Sequence, residues 1–179
     1  SYEAFKKSIH DELRTCERAF EKDIQTNTFK LYFDLLKSKK PNLAELSNEE
    51  ICRLQGFTDE GKPTLTGIML FSNYPQAFFP QLCITAVSVP GTEISSTASV
   101  GERFIDNQRI DGTLVQMLND ALVFVRKNMK TATIIDPNTG KRTDKTEYPV
   151  IAIRELILNA LIHRDYSIHT DTTPITIKM

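Results

Sequence analysis

The run from Pro149 to Tyr166, P-V-I-A-I-R-E-L-I-L-N-A-L-I-H-R-D-Y, constrains the fold more than any other stretch of this chain. At 100° per residue, Val150, Ile153, Leu156, Ile157, Ala160 and Leu161 make one broad apolar face, and Ile151, Leu158 and Ile162 carry it most of the way round. A helix this apolar is expected to be buried against a sheet or other helices. Pro149 suits the first helical position, where a missing N–H costs nothing. The polar remainder is a narrow stripe of Glu155, Asn159 and His163, each one turn after the last, with small Ala152 beside them. Arg154, near the helix start, can snorkel outward.

The elements around this helix define a fold class. Residues 2–20 place Tyr2, Phe5, Ile9, Leu13, Cys16 and Phe20 at spacings of three and four, which predicts an amphipathic helix. A second helix is predicted after Thr26 or Thr28, burying Phe29, Phe33 and Leu36 and stopped by Pro41. Ser47-Asn48-Glu49-Glu50 is a capping box for a short helix that buries Ile51 and Leu54 and closes at Gly56. The polar, glycine-containing stretch Thr58 to Lys62 then marks a boundary. Pro63 to Phe71 is apolar enough for a buried helix or a strand, and Pro63 at its start favours helix. Leu82 to Val89 reads as a strand, with Glu102 to Ile110 as its partner. Asp111-Gly112 leads into a helix from Thr113 to about Met129. Thr131–Ile135 and Lys145–Val150 read as a β-hairpin around Asp136 to Gly140, and after the apolar helix Ile175 to Lys178 is a last strand. The expected class is α+β: an N-terminal helical region, then helices on one face of a mostly antiparallel sheet.

Composition narrows the function. The 179 residues are 40% hydrophobic and carry a formal charge of −1, so neither a polycationic surface nor indiscriminate phosphate-backbone binding is indicated. Cys16, Cys52 and Cys83 are odd in number, far apart and without a C-x-x-C pair. That points to a reducing, cytoplasmic compartment and away from a disulfide framework or a zinc site. No run approaches membrane-spanning length. The start within helix-like character and the end directly after a strand-like segment are what a piece of a longer polypeptide would show.

Among candidate constellations, Glu155 and Asn159 stand first because side chains at i and i+4 meet on a helix surface. A carboxylate can orient or deprotonate a water, and an amide oxygen one turn on is a hard donor for Mg²⁺. That pairing suits phosphoryl chemistry, where metal and water positioning supply most of the catalysis; the ordinary alternative is a helix-surface hydrogen bond. His163 reads either as a phosphate contact or as a cation at the helix C-terminus, the commoner use. Gly140-Lys141-Arg142-Thr143 lacks the upstream glycine and the following Ser/Thr of a phosphate loop. Arg126, Lys127, Lys130, Lys141, Arg142 and Lys145 read chiefly as solvated charges around the hairpin. Ser95 to Ser99 contains no nucleophile elbow.

Three stretches carry a resemblance to a known family. Arg154 to Tyr166 resembles the R-E-A-x-x-N-A-x-x-H-R-D-Y signature of bacterial and archaeal proteins described as RecG-like ATP-dependent DNA helicases or Schlafen AlbA-type transcriptional regulators. Lys62 to Phe71, followed by Pro75-Gln76-Ala77-Phe78-Phe79-Pro80, is similar to that family's P-T-x-A-G-x-x-L-F-G…P-Q-x-x-F-P. Arg109-Ile110-Asp111-Gly112 before a helix is similar to its third mark.

The resemblance implies a protein of four parts: an AlbA-like nucleic-acid domain, a helical connector, a degenerate GHKL-type ATPase domain and a winged helix. Residues 1–57 would be the connector and 58–179 the first part of the GHKL-like domain. Glu155 would be the general base, Asn159 the Mg²⁺ ligand and cofactor contact, and His163 a further cofactor contact. ATP and Mg²⁺ are the implied cofactors, DNA a partner through other domains, and homodimerisation a further expectation; no membrane is implied. The alternative the family leaves open is a non-catalytic scaffold that joins the AlbA-like domain to the winged helix, with dimerisation as its role. The sequence departs from the GHKL pattern in one respect: it contains no G-x-G, so neither the adenine-binding segment nor the phosphate lid is present.

Overall fold

The computed structural model describes residues 11–89, 106–135, 142–170 and 172–179. The fold is α+β. Close contacts divide it into two compact units: the described parts of Ser1–Leu82, Asp111–Val115 and Asp165–Thr173, and of Cys83–Ile110, Gln116–Arg164 and Pro174–Met179.

The first unit opens with a 3₁₀ turn, Asp11–Leu13, where a continuous helix was expected from the spacing of apolar residues. Residues 2–10 of that expected helix lie outside the described residues; residues 11–20 correct it. Thr15 bridges Thr64, the Cys16 N–H donates to the Pro63 carbonyl (2.9 Å) and the Leu65 N–H to the Arg14 carbonyl (2.9 Å). Long-range backbone pairing here replaces the local i to i−4 bonds, while Cys16 and Ala19 are still buried.

Helix α1 (Asn27–Lys39) starts where Thr26 caps the Phe29 N–H, and it buries Phe29 and Phe33 as their spacing predicts. The Thr26 hydroxyl also donates to the Phe71 carbonyl at 2.7 Å. A short helix, α2 (Pro41–Ala44), follows. Helix α3 (Asn48–Leu54) has the expected capping box: the Glu50 N–H donates to the Ser47 hydroxyl (3.1 Å) and the Ser47 N–H to the Glu50 carboxylate (2.9 Å). It ends in a Schellman motif, with Phe57 N–H bonded to the Cys52 carbonyl, Gly56 N–H to that of Arg53, and Gly56 at φ +72°.

Strands β1 (Thr58–Asp59) and β2 (Lys62–Pro63) form a tight hairpin through Glu60 (φ +46°) and Gly61 (φ +76°), two successive left-handed residues matched to the twist of the strands. Pro63 therefore belongs to a strand, and helix α4 (Leu65–Phe71) begins two residues after it, capped by Thr64. An aromatic cluster closes this unit: Phe29 stacks on Phe33 at 4.2 Å, and Phe71 meets Phe29 and Phe57 edge-on at 5.5 and 4.9 Å. Such pairs each add about 0.5–1.5 kcal/mol beyond their buried area.

The second unit is built on a three-stranded sheet. Strand β3 (Ile84–Ser88) lies between antiparallel β4 (Asp106–Ile110) and parallel β7 (Ile175–Lys178). Ile84, Ala86 and Ser88 alternate as buried residues, and register puts Asp106, Ile110, Ile175 and Ile177 on their face. Helix α5 (Leu114–Asn128) covers it: Lys127 and Asn128 both donate to one Asp106 oxygen, at 2.8 and 3.2 Å. The α5 core stripe contains the expected Leu118, Ala121, Leu122 and Val125, together with Met117 and Phe124. Strands β5 (Thr131–Ile135) and β6 (Arg142–Thr146) form a separate antiparallel hairpin, and helix α6 (Val150–Ile162) follows. The second hairpin arm starts three residues and ends four residues before the expected Lys145–Val150, because Glu147 closes the hairpin base. Its N–H donates to the Lys130 carbonyl at 2.9 Å, and its carboxylate accepts the Lys130 N–H at 3.3 Å. The turn expected at Asp136 to Gly140 and the serines from Ser95 to Ser99 lie outside the described residues.

Candidate nucleotide and magnesium site

Pro149 sits just before the first turn of α6, as its N-cap, and its carbonyl accepts the Ile153 N–H at 3.2 Å. The other end closes at His163, whose N–H bonds to the Asn159 carbonyl at 2.9 Å. On this helix the expectation of near-complete burial is corrected. Only Ile157 and Leu161 are buried; Ile151 is 78% exposed, Leu156 70% and Ile162 57%. Ala160 is exposed as well, so the broad apolar face shrinks to a seam centred on Ile157 and Leu161.

Glu155, Asn159 and His163 are all exposed, on successive turns of the open side. At 100° per residue, Ile151 and Ile162 border this stripe on one side and Leu156 and Ala160 on the other. None of the three polar side chains is engaged by a described residue. The helix-surface hydrogen bond, the ordinary explanation for an E-x-x-x-N spacing, is therefore not formed. A carboxylate and an amide oxygen stand available instead.

Their chemistry fits a phosphate-bound Mg²⁺ better than an all-protein metal cage. Among the described residues no three His, Cys, Asp or Glu side chains converge as metal ligands. Mg²⁺ keeps several waters and commonly takes one or two protein oxygens plus substrate phosphates. Asn159 could supply a neutral oxygen donor to such an ion, and Glu155 could accept a proton from a water.

Asp165 of the signature has a structural role. The Asp165 carboxylate accepts the Ser167 N–H at 2.9 Å, its carbonyl accepts the Thr170 hydroxyl at 2.8 Å, and the Ser167 and Thr170 hydroxyls lie 3.2 Å apart. The bond from the Ser167 backbone is the leading reason its carboxyl is held below the usual aspartate range. Of the basic residues around the hairpin, Lys127 is committed to Asp106, whereas Arg126 and Lys130 are exposed; Lys141 lies outside the described residues.

Three buried fasteners were not singled out by the sequence reasoning. The Thr64 hydroxyl donates to the Gly56 carbonyl (2.7 Å) and accepts the Gly67 N–H (3.1 Å). A Cβ at Gly67 would stand 2.3 Å from the Phe57 carbonyl oxygen, so helix α4 can approach that backbone only with glycine there. Gln76, 3% exposed, bonds the Leu82 carbonyl and both backbone groups of Gly112 through its side-chain amide. Continuing the β3–β4 register from Ile84↔Ile110 would set Leu82 opposite Gly112, so the Gln76 amide supplies the next rung where the strands part. The available signal was their position: Thr64, Gly67, Gln76 and Gly112 all fall in the motif stretches at residues 62–80 and 109–112.

A cavity of 340 Å³ in the first unit, lined by Glu21, Glu49, Glu60, Arg53 and Thr58 among others, shares no residue with the α6 stripe. Glu49 and Glu50 there are first-turn acids that complement the α3 dipole.

No protein-family model and no curated protein matches the chain. A solved structure, the DIP2311 protein from Corynebacterium diphtheriae, is similar over 94% of this chain with a TM-score of 0.54 and 21% identity. This chain spans 30% of that protein's length, and at this identity the likeness is one of fold.

Proposed function

We propose that this chain is part of a cytoplasmic prokaryotic ATP-binding transcriptional regulator of the RecG-like, Schlafen AlbA-type family, in which α6 contributes half of a Mg²⁺–nucleotide site. The supporting observation is the exposed, uncommitted stripe of Glu155, Asn159 and His163 on one side of a helix. Mg²⁺ bound with nucleotide would neutralise phosphate charge and fix the phosphates in place. Within that arrangement Asn159 offers its amide oxygen to the cation, Glu155 orients and accepts a proton from a water, and His163 contacts phosphate. Nucleotide binding, not fast turnover, is the role proposed for this part of the protein. DNA is engaged by other domains of the longer protein. The test is displacement of a fluorescent ATP analogue from the full-length protein by Mg·ATP; a full-length protein that shows no displaceable binding sinks the nucleotide reading.

A second reading has its own observation. Ile151 and Ile162 on one side of the polar stripe and Leu156 on the other are large exposed apolar side chains, which favours a non-catalytic scaffold that dimerises or joins the flanking domains through α6. In that case Glu155→Ala and Asn159→Ala leave DNA binding by the full-length protein unchanged with and without ATP, while Leu156→Lys alters its oligomeric state.

A further inference from the structure

We draw no further inference here: the strongest candidate, the open face of α6 where Ile151, Leu156 and Ile162 flank the Glu155–Asn159–His163 stripe, belongs to the site already described, and nothing in the structure shows what covers its apolar flanks.

Discussion

Replacing Gln76 by leucine removes three hydrogen bonds and no comparable volume. The amide nitrogen donates to the Leu82 and Gly112 carbonyls at 2.8 and 3.0 Å, and the amide oxygen accepts the Gly112 N–H at 2.8 Å. Leucine at this site leaves two carbonyls and one N–H facing an apolar side chain. An unsatisfied buried group costs about 1–3 kcal/mol. Gly112 is only half-buried, so water recovers part of the loss at two of the three groups. The net destabilisation by Gln76→Leu is therefore about 2–4 kcal/mol, and with about 2–4 °C per kcal/mol at this chain length the midpoint falls by roughly 5–15 °C. Urea unfolding followed by both circular dichroism and fluorescence gives the free-energy change and tests whether the two units melt together. Gln76→Glu sharpens the test. It keeps the shape and the bond from Gly112, but as a carboxylate it faces two carbonyl oxygens. Its destabilisation should be larger at pH 7 than at pH 5, where a protonated carboxyl can donate again. A loss below about 1 kcal/mol for Gln76→Leu, or a Gln76→Glu effect independent of pH, would refute the rung argument.

Other perturbations test the same packing. Gly67→Ala should cost about 1–3 kcal/mol or more, since its Cβ would meet a backbone carbonyl at 2.3 Å; an unchanged melting temperature would contradict the close approach. Gly56→Ala places a side chain at φ +72° and 2.6 Å from Leu13 Cδ2, a cost of about 1–2 kcal/mol for the left-handed residue, read in the same melts. Burial, with help from Glu21 and Glu49, pushes the Cys52 thiol up to about 11, so a disulfide reagent at pH 8 should leave it unmodified in the native chain and react after unfolding; fast native labelling of Cys52 would overturn this. Glu50, Asp106 and Asp165 all have lowered carboxyl values, held chiefly by bonds from the Ser47 backbone, Lys127 and the Ser167 backbone respectively. Their stabilisation is complete above the ordinary carboxylate values near pH 4 and is lost as pH falls below them. Asp106→Asn combined with Asp165→Asn should therefore flatten the acid limb of stability against pH, and an unchanged limb would assign acid unfolding to other groups.

Local chemistry was the legible part of this fold. As caps, Thr26, Ser47 and Gly56 each act on backbone groups within a few residues of themselves, and α1 and α3 start or stop where those residues require. Strand β3 was also readable, because Leu82 to Val89 is rich in β-forming residues and is followed by Pro90-Gly91. The failures share a cause: contacts between residues far apart in sequence. Residues 11–20 have a helical apolar pattern but take their backbone partners from Pro63 to Leu65, fifty positions on. The α6 pattern counts every apolar residue as buried, and periodicity cannot say how much of a helix has something to pack against. The polar stripe itself was correctly placed, since i, i+4 spacing alone puts Glu155, Asn159 and His163 on one side. Gln76 was invisible as a fastener because both of its partner segments had to be brought to it by the fold.

The central claim, that α6 carries half of a Mg²⁺–nucleotide site, is tested most directly by calorimetric titration of the full-length protein with ATP, with and without Mg²⁺. The variants are Glu155→Ala and Asn159→Ala, each shown to melt like the parent. The account predicts saturable binding that requires Mg²⁺ in the parent. Asn159→Ala should lower that affinity at least tenfold and remove most of its Mg²⁺ dependence, about 1.4 kcal/mol or more, while Glu155→Ala keeps binding and loses any residual hydrolysis. Binding of equal strength in the parent and in Asn159→Ala, or no binding in the parent at all, would contradict it.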